Sequence, residues 1–458
     1  MAQGISRISK LLVDRNGDDP ENVLARRRGF TVTLRLGEDV AGSRSLQLAA
    51  LTAARLAVRC FPGAVRIEAP QKVLDAVAVV GAVGKASLRK ALNAEVGKNG
   101  WNAGSTGHVL LIGDAVHDGS ATRITFDGWA AATGRESLLS RYAEREHCSL
   151  APVLAAALSV SEVFLAFAGL DLQAGRRVVG MSLWRPDLSP TDPDAVGPGV
   201  TFLPRKAWLL GLGHLGNAYL WAISTLPYAR PQDLLLYLFD FDKVELANTE
   251  TGVLFRRRHI GQLKTRVCAG WLEDKGIETR LVERHVDEHL RRRDDEPALA
   301  FSGFDNNEAR HQLARAGFGR VVDSGLGGTA TNFDSISLRT WPNARRPDDI
   351  WPLVSGAEQE AINAAVEKAA EANPGYRRLK RQACGLIQHA GKSVAVPFVG
   401  MTAATLVLAD ALRVLHDGGK IENLKVRLGA IASGIDVTWS QYNGDDLAAV
   451  AYTDARSI

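Results

Sequence analysis

KAWLLGLGHLG, residues 206–216, decides the fold. KAWLL reads as a strand, and Gly211, Gly213 and Gly216 stand between it and the start of a helix. Glycines at such a turn let the backbone approach a phosphate, and the helix N-terminus supplies free N–H groups and a favourable dipole. Alone the pattern indicates a nucleotide, or else a tight strand-to-helix turn with no ligand. The next strand, in DLLLYLFDFD (233–242), ends at Asp240, where an acidic residue commonly holds ribose hydroxyls. Further on, helix HIGQLKTRVCAGWLEDKG, strand TRLVERHV, strand ALAFSGFD, another helix and strand RVVDSGL follow in turn. This alternation predicts an α/β fold: a Rossmann-like parallel or mixed sheet with helices on both faces. A nicotinamide-dependent oxidoreductase and an ATP-using enzyme satisfy these features equally.

The residues after Asp240 separate the two. DFDKVELANTETGVLFRRRHIGQLKT (240–265) offers Asp240, Asp242, Asn248, the run Leu254-Phe255-Arg256, Gly261 and Lys264. FSGFDNNEARHQL (301–313) offers Asp305 and Asn306, and VVDSGLGGTATNFDSI (321–336) a strand and glycine loop. In this order and spacing the motifs resemble the ThiF/MoeB and ubiquitin-activating enzyme superfamily from about Lys206 to His416. The resemblance implies an adenylation domain whose nucleotide contacts are Gly211, Gly213, Gly216, Asp240, Asp242, Asn248, Arg256, Lys264, Asp305 and Asn306. ATP and Mg2+ are the implied cofactors. Thr251 and Gly252 stand where the family has an Arg–Gln pair. Arg256, Arg257, Arg258 or an arginine from the N-terminal half is the expected replacement.

The chemistry is coherent on the residues themselves. Adenylating a carboxylate needs a cation near the α-phosphate, which Lys264 can supply. It also needs an oxygen ligand for magnesium, and Asp305, at a strand end beside a polar loop, suits that role. A surface helix lysine and a helix N-cap are the bland alternatives for these two. Cys384, in RQACGLIQHAG (381–391), follows a charged segment and precedes a long apolar helix. Family cysteines at this place, in a crossover over the active site, form a bond or thioester with the carrier protein. Arg377, Arg378, Lys380 and Arg381 favour a thiolate at Cys384, and the alternative is a buried structural thiol. Cys60, Cys148 and Cys268 read as core, and His214, His259 and His389 as structural or surface residues.

Outward from these motifs, the loop SPTDPDAVGPG (189–199) marks a boundary. It divides an N-terminal α/β domain, 1–200, from the adenylation domain, 201–458, with a crossover at about 341–390. The first domain has no GxGxxG and is expected not to adenylate. One echo joins the halves: CSLAPVLAAALSVSEVFLAFAGLD (148–171) resembles the stretch 384–418. Either the first half is a duplicate that lost its phosphate loop, or these are two unrelated buried helices. The two apolar stretches carry Glu162 in one and Asp410 and Arg413 in the other. Each such charge at a bilayer centre would cost about 2.5–3.5 kcal/mol, so both read as buried helices and no membrane partner is expected.

The 458 residues carry 55 Lys+Arg against 51 Asp+Glu, a balance that gives no nucleic-acid footprint. Their hydrophobic content of 46% excludes a solvated coil. The four cysteines form no CxxC pair, so no zinc is expected, and a reducing cytoplasmic setting fits. The leading expectation is an enzyme that adenylates the C-terminal glycine of a ubiquitin-like protein. It passes the acyl group to Cys384 and then to a conjugating enzyme, as in two-part activating enzymes of bacterial antiviral defence operons. A ThiF-like enzyme acting on a peptide or sulfur carrier, without a conjugation cascade, is the alternative. An oxidoreductase leaves Lys264 and Asp305 unexplained, a non-catalytic scaffold would account for Thr251, and a homodimer is left open.

Overall fold

Helix α1 (Arg7–Asn16) begins where the Ser6 hydroxyl accepts from the Ser9 N–H at 2.9 Å and stops at Gly17, whose φ of 67° is left-handed. It opens a computed structural model that describes residues 6–78, 86–101, 107–374, 393–440 and 450–456. After α1 come α2 (Pro20–Arg28), β1 (Thr31–Leu36), α3 (Arg44–Cys60), β2 (Ala64–Glu68), α4 (Gln71–Asp75) and α5 (Leu88–Val96). Then follow β3 (His108–Ile112), β4 (Ala121–Asp127), β5 (Ala130–Arg135), α6 (Leu150–Ala168) and β6 (Val178–Ser182). These six strands form one sheet in the order β2-β1-β3-β4-β5-β6, parallel from β2 to β4 and antiparallel beyond.

The second half runs β7 (Phe202–Pro204), β8 (Lys206–Leu210), α7 (His214–Ser224), β9 (Leu235–Phe239), α8 (Asn248–Thr251), α9 (Lys264–Glu273) and β10 (Glu278–Val282). It continues with β11 (Leu299–Ser302), α10 (Asn307–Arg315), β12 (Arg320–Leu326), β13 (Ser335–Trp341), α11 (Pro347–Ile350), α12 (Gly356–Ala372) and α13 (Pro397–Leu415). The chain ends through β14 (Ile421–Arg427), β15 (Asp436–Trp439) and β16 (Tyr452–Asp454). The second sheet has the order β10-β9-β8-β11-β12-β13-β14-β15, parallel from β10 to β12 and antiparallel beyond.

Six consecutive strands of this sheet, β9-β8-β11-β12-β13-β14, have the order and directions of the whole first sheet. The helices correspond too. α3 follows β1 as α7 follows β8, and α6 precedes β6 as α13 precedes β14. α3 packs on α6, α6 on α13 and α13 on α7, so the layer between the halves reads α3–α6–α13–α7, a palindrome. Both long apolar helices are therefore core elements, 89% and 100% buried over their most apolar windows. α13 is pinned to β12 by a sealed network in which Asp410 takes Arg320 at 2.6 Å and Arg413 at 3.0 Å.

A polar knot stitches the halves together. Arg55 of α3 lies 3.9 Å over the Trp221 ring and donates to the Val253 carbonyl at 3.0 Å, while its other nitrogen pairs with Glu95 of α5. Lys275 faces Trp271 at 4.4 Å. Burial, then the charge of Arg55, pulls the Lys275 ammonium down to about 8. A depressed lysine penalises the folded state while charged, so stability is gained as pH rises from about 8 toward the unfolded value of about 10.4. Lys275→Met is expected to raise stability at pH 7 by about 2 kcal/mol, with the gap from wild type closing above pH 8. Urea titrations of both proteins across that range check this, and a gap independent of pH would contradict it.

Candidate active site

The glycine turn of the second half opens onto a cavity of about 860 Å3 at the carboxyl ends of β8, β9, β11 and β12. This is where the strand order reverses around β8, the usual ligand crevice of an open α/β sheet. Gly211 has φ of 85°, and a Cβ on Gly216 would overlap the Gly211 carbonyl oxygen, so only glycine lets α7 start there. Gly213 precedes α7 without a side-chain cap and faces open space, leaving first-turn N–H groups available to an anion.

Around this turn the motif residues converge. Asp240 braces the loop, accepting from the Leu212 N–H at 2.7 Å and the Asp242 N–H at 2.8 Å. Burial raises its carboxyl above the usual range, against the opposing pull of Lys264. Lys264 is the first residue of α9, with its side chain 9% exposed and its Nζ 2.6 Å from Asp242. Asn248 accepts from the Glu245 N–H at 2.8 Å and lines the cavity beside Thr251. Asp305 lies exposed at the rim, and α10 is capped by Asn306, which accepts from the Ala309 N–H at 2.8 Å. The cap alternative for Asp305 thus falls to its neighbour, and the Asp305 carboxylate is touched only weakly, by the Asn306 amide at 3.4 Å. Arg310 also lines the cavity but is engaged with Asp323 at 3.2 Å, Asn307 at 3.0 Å and backbone carbonyls.

One expected contact is corrected. Arg256 does not line the cavity; its guanidinium turns to the first half, 2.9 Å from the Ala94 carbonyl and 3.6 Å from Glu95. The buried Glu95 carboxylate draws it there. The cation that does reach the cavity from outside the motifs is Arg7. Helix α1 packs on α8, which carries Glu250 and ends at Thr251. Arg7 Nε is buried with no hydrogen-bond partner among the described residues. The sequence held one signal for it: an arginine at the first position of a helix opposes the macrodipole and is out of place unless an anion faces it.

His214, Phe241 and His285 line the cavity as well, the last two stacked with ring centroids 3.5 Å apart. A shallower trough of about 520 Å3 over β13 and β14 shares Gly325, Leu326 and Gly327 with the cavity. Ser393 to Val396 form part of the cavity wall, held by the Val394 N–H on the Gly328 carbonyl at 2.9 Å. Cys384, Arg377, Arg378, Lys380, Arg381 and His389 lie outside the described residues. Cys60, Cys148 and Cys268 are buried, and desolvation holds all three thiols protonated, the first two at about 12.

The matching place in the first half carries carboxylates. Asp39 Oδ1 accepts from the Asp114 N–H at 3.0 Å, and Arg141 bridges Asp39 to Glu144. A phosphate there would meet negative charge.

The donor set of the second half fits a magnesium nucleotide. The orphaned Arg7 Nε and the open space at Gly213 suit phosphates, and magnesium needs only one or two carboxylates beside phosphate oxygens, which Asp305 can provide. Among the described residues no group of three or more His, Cys, Asp or Glu side chains could hold a metal unaided.

Residues 203–418 match the BilD C-terminal domain and residues 31–183 the BilD N-terminal domain. The bacterial E1-like protein BilD of Collimonas sp. (strain OK412) is 36% identical over 399 residues, 86% of this chain and 84% of that protein. Among solved structures, E. coli MccB with ATP is 15% identical with a TM-score of 0.34, over 52% of this chain and 63% of MccB. E. coli MccB with AMPCPP and MccA gives the same identity, coverage and score. On the extent of the match to its Collimonas relative, the chain belongs to the family of the bacterial E1-like protein BilD.

Proposed function

We propose that this chain uses ATP to adenylate the C-terminal glycine of a small ubiquitin-like protein and then takes the acyl group onto Cys384. The observation that carries the reading is one cavity in which Lys264 and Arg7 face an uncapped helix N-terminus, with the Asp305 carboxylate at its rim. The carboxylate of the partner attacks the α-phosphate, its oxygen bonding to phosphorus as pyrophosphate leaves. Lys264, held in place by Asp242, stabilises the charge that develops there. Bound at Asp305, magnesium would neutralise phosphate charge. The trough that shares Gly325 and Gly327 with the cavity is lined by small side chains, Ser335, Ser337 and Gly434 among them, and suits an extended tail of small residues.

Cys384 lies within ten residues of Ser393, which lines the cavity. The other three cysteines are sealed and protonated, which removes them as nucleophiles. Attack of the Cys384 thiolate on the acyl-adenylate forms a thioester and releases AMP, and a conjugating enzyme is the next acceptor. The first half serves as a non-adenylating partner to the second.

The test is ATP–pyrophosphate exchange in the presence and absence of the partner. Exchange is expected only with it, and Asp305→Asn should lower the rate by at least about 100-fold. Cys384→Ala should keep exchange and lose an adduct that reducing agents cleave. Tight NADH binding without ATP binding would refute the adenylation reading. A wild type that exchanges yet forms no adduct would leave adenylation of a peptide or carrier without transfer to Cys384.

A further inference from the structure

His214 is the first residue of α7 and sits inside the glycine turn. Its ring does not point to solvent. Its Nε2 is buried with no hydrogen-bond partner among the described residues, near Pro397 at the start of α13. Burial, then the nearby charge of Arg7, pulls the imidazole down to about 4, so the ring stays neutral near pH 7. The outer edge of the ring abuts Gly400, one turn into α13. A Cβ on Gly400 would overlap Nε2 and come within 2.8 Å of Cδ2 and 3.1 Å of Cε1. No L side chain other than glycine fits at 400 while His214 stays where it is. The residues just ahead of α13, Ser393 to Val396, line the cavity and are tied to the loop after β12 through Val394 and Gly328.

We infer that His214 is a positioning residue for the nucleotide, a steric key whose seat against Gly400 sets where the first N–H groups of α7 point and locks them to the segment that leads into α13. This rests on the nucleotide reading of the cavity. The key works by shape, since its outer nitrogen has no hydrogen-bond partner among the described residues. A bulge at position 400 would push the ring, and with it the N-terminus of α7, toward the phosphates. Misplacement of about 1 Å in such a site can cost up to about 100-fold.

The test is a double-mutant cycle on the full chain, read by calorimetric ATP affinity and by thermal melting. Gly400→Ala should weaken ATP binding by about 10-fold or more. His214→Ala should weaken it only a few-fold, because the turn keeps its glycines. The double variant should return to the level of His214→Ala, since removing the ring clears space for the new methyl. Gly400→Ala should also melt lower, by the cost of the clash, and the double variant should recover, so ATP affinity is compared at a temperature where every variant is folded. If Gly400→Ala alone does not fold, the double variant must. Additive losses, a double variant as impaired as Gly400→Ala, or an unaffected Gly400→Ala each overturn the key. A wild type that binds no ATP overturns the nucleotide reading itself.

Discussion

With Lys264 replaced by alanine, partner-dependent ATP–pyrophosphate exchange is expected to fall by about 1,000-fold while the fold persists. The expectation rests on where the ammonium is held. Lys264 Nζ lies between Asp242 at 2.6 Å and Asp240 at 3.8 Å, on a side chain with little freedom to leave. Such a cation is preorganised, and it costs no rearrangement of water when charge shifts toward the α-phosphate. Lys264→Arg should recover little, since a forked guanidinium cannot occupy the place of a point charge between two carboxylates. Burst measurements of acyl-adenylate would distinguish loss of chemistry from loss of binding. An alanine variant that exchanges within 10-fold of wild type would return Lys264 to the role of a structural ion pair.

Arg7→Ala is the second large effect, about 100-fold in kcat/KM for ATP. Arg7 comes from the first helix, and its Nε is buried with no hydrogen-bond partner among the described residues. Leaving such a group unpaired costs stability, and an anion that arrives with substrate would pair it. Alanine should therefore leave the melting temperature equal to or above that of wild type while activity collapses. Glu250→Gln, on the helix against which α1 packs, should cost less than Arg7→Ala. Equal losses from both, with a lowered melting temperature, would mean that α1 acts by packing alone.

The two arginines also locate the limit of what the sequence discloses. Gly211, Asp240 and Asp305 could be placed in one site because each follows a parallel strand of one sheet, and Lys264 opens the helix that leads to the next of those strands. The sheet itself carries such positions to one edge. Arg7 is separated from Lys264 by most of the chain and arrives through a helix with no motif of its own, so only the packing of the halves discloses it. Arg256 had the right sequence position and the wrong neighbour: Glu95, buried in the first half, outbids the cavity for its charge. Asp305 and Asn306 were both legible as polar residues at a strand end. Which of them caps α10 depends on backbone angles that adjacent residues share, and the structure gives the cap to Asn306. The kinship of the two halves was visible only as one resemblance between apolar helices. Strand order and direction are properties of pairing, and pairing leaves little trace in a single chain.

The α3–α6–α13–α7 layer joins two like-shaped halves that are already covalently connected. Their local concentration at one another is fixed by the short segment between β6 and β7, whatever the amount of protein in the tube. Turnover per chain should hence be constant on dilution to nanomolar levels, where an enzyme assembled from separate subunits would fall apart and slow. Stoichiometry should follow the same logic: with Asp39 and Glu144 at the matching place of the first half, one nucleotide per chain rather than two is the expected result of a calorimetric titration.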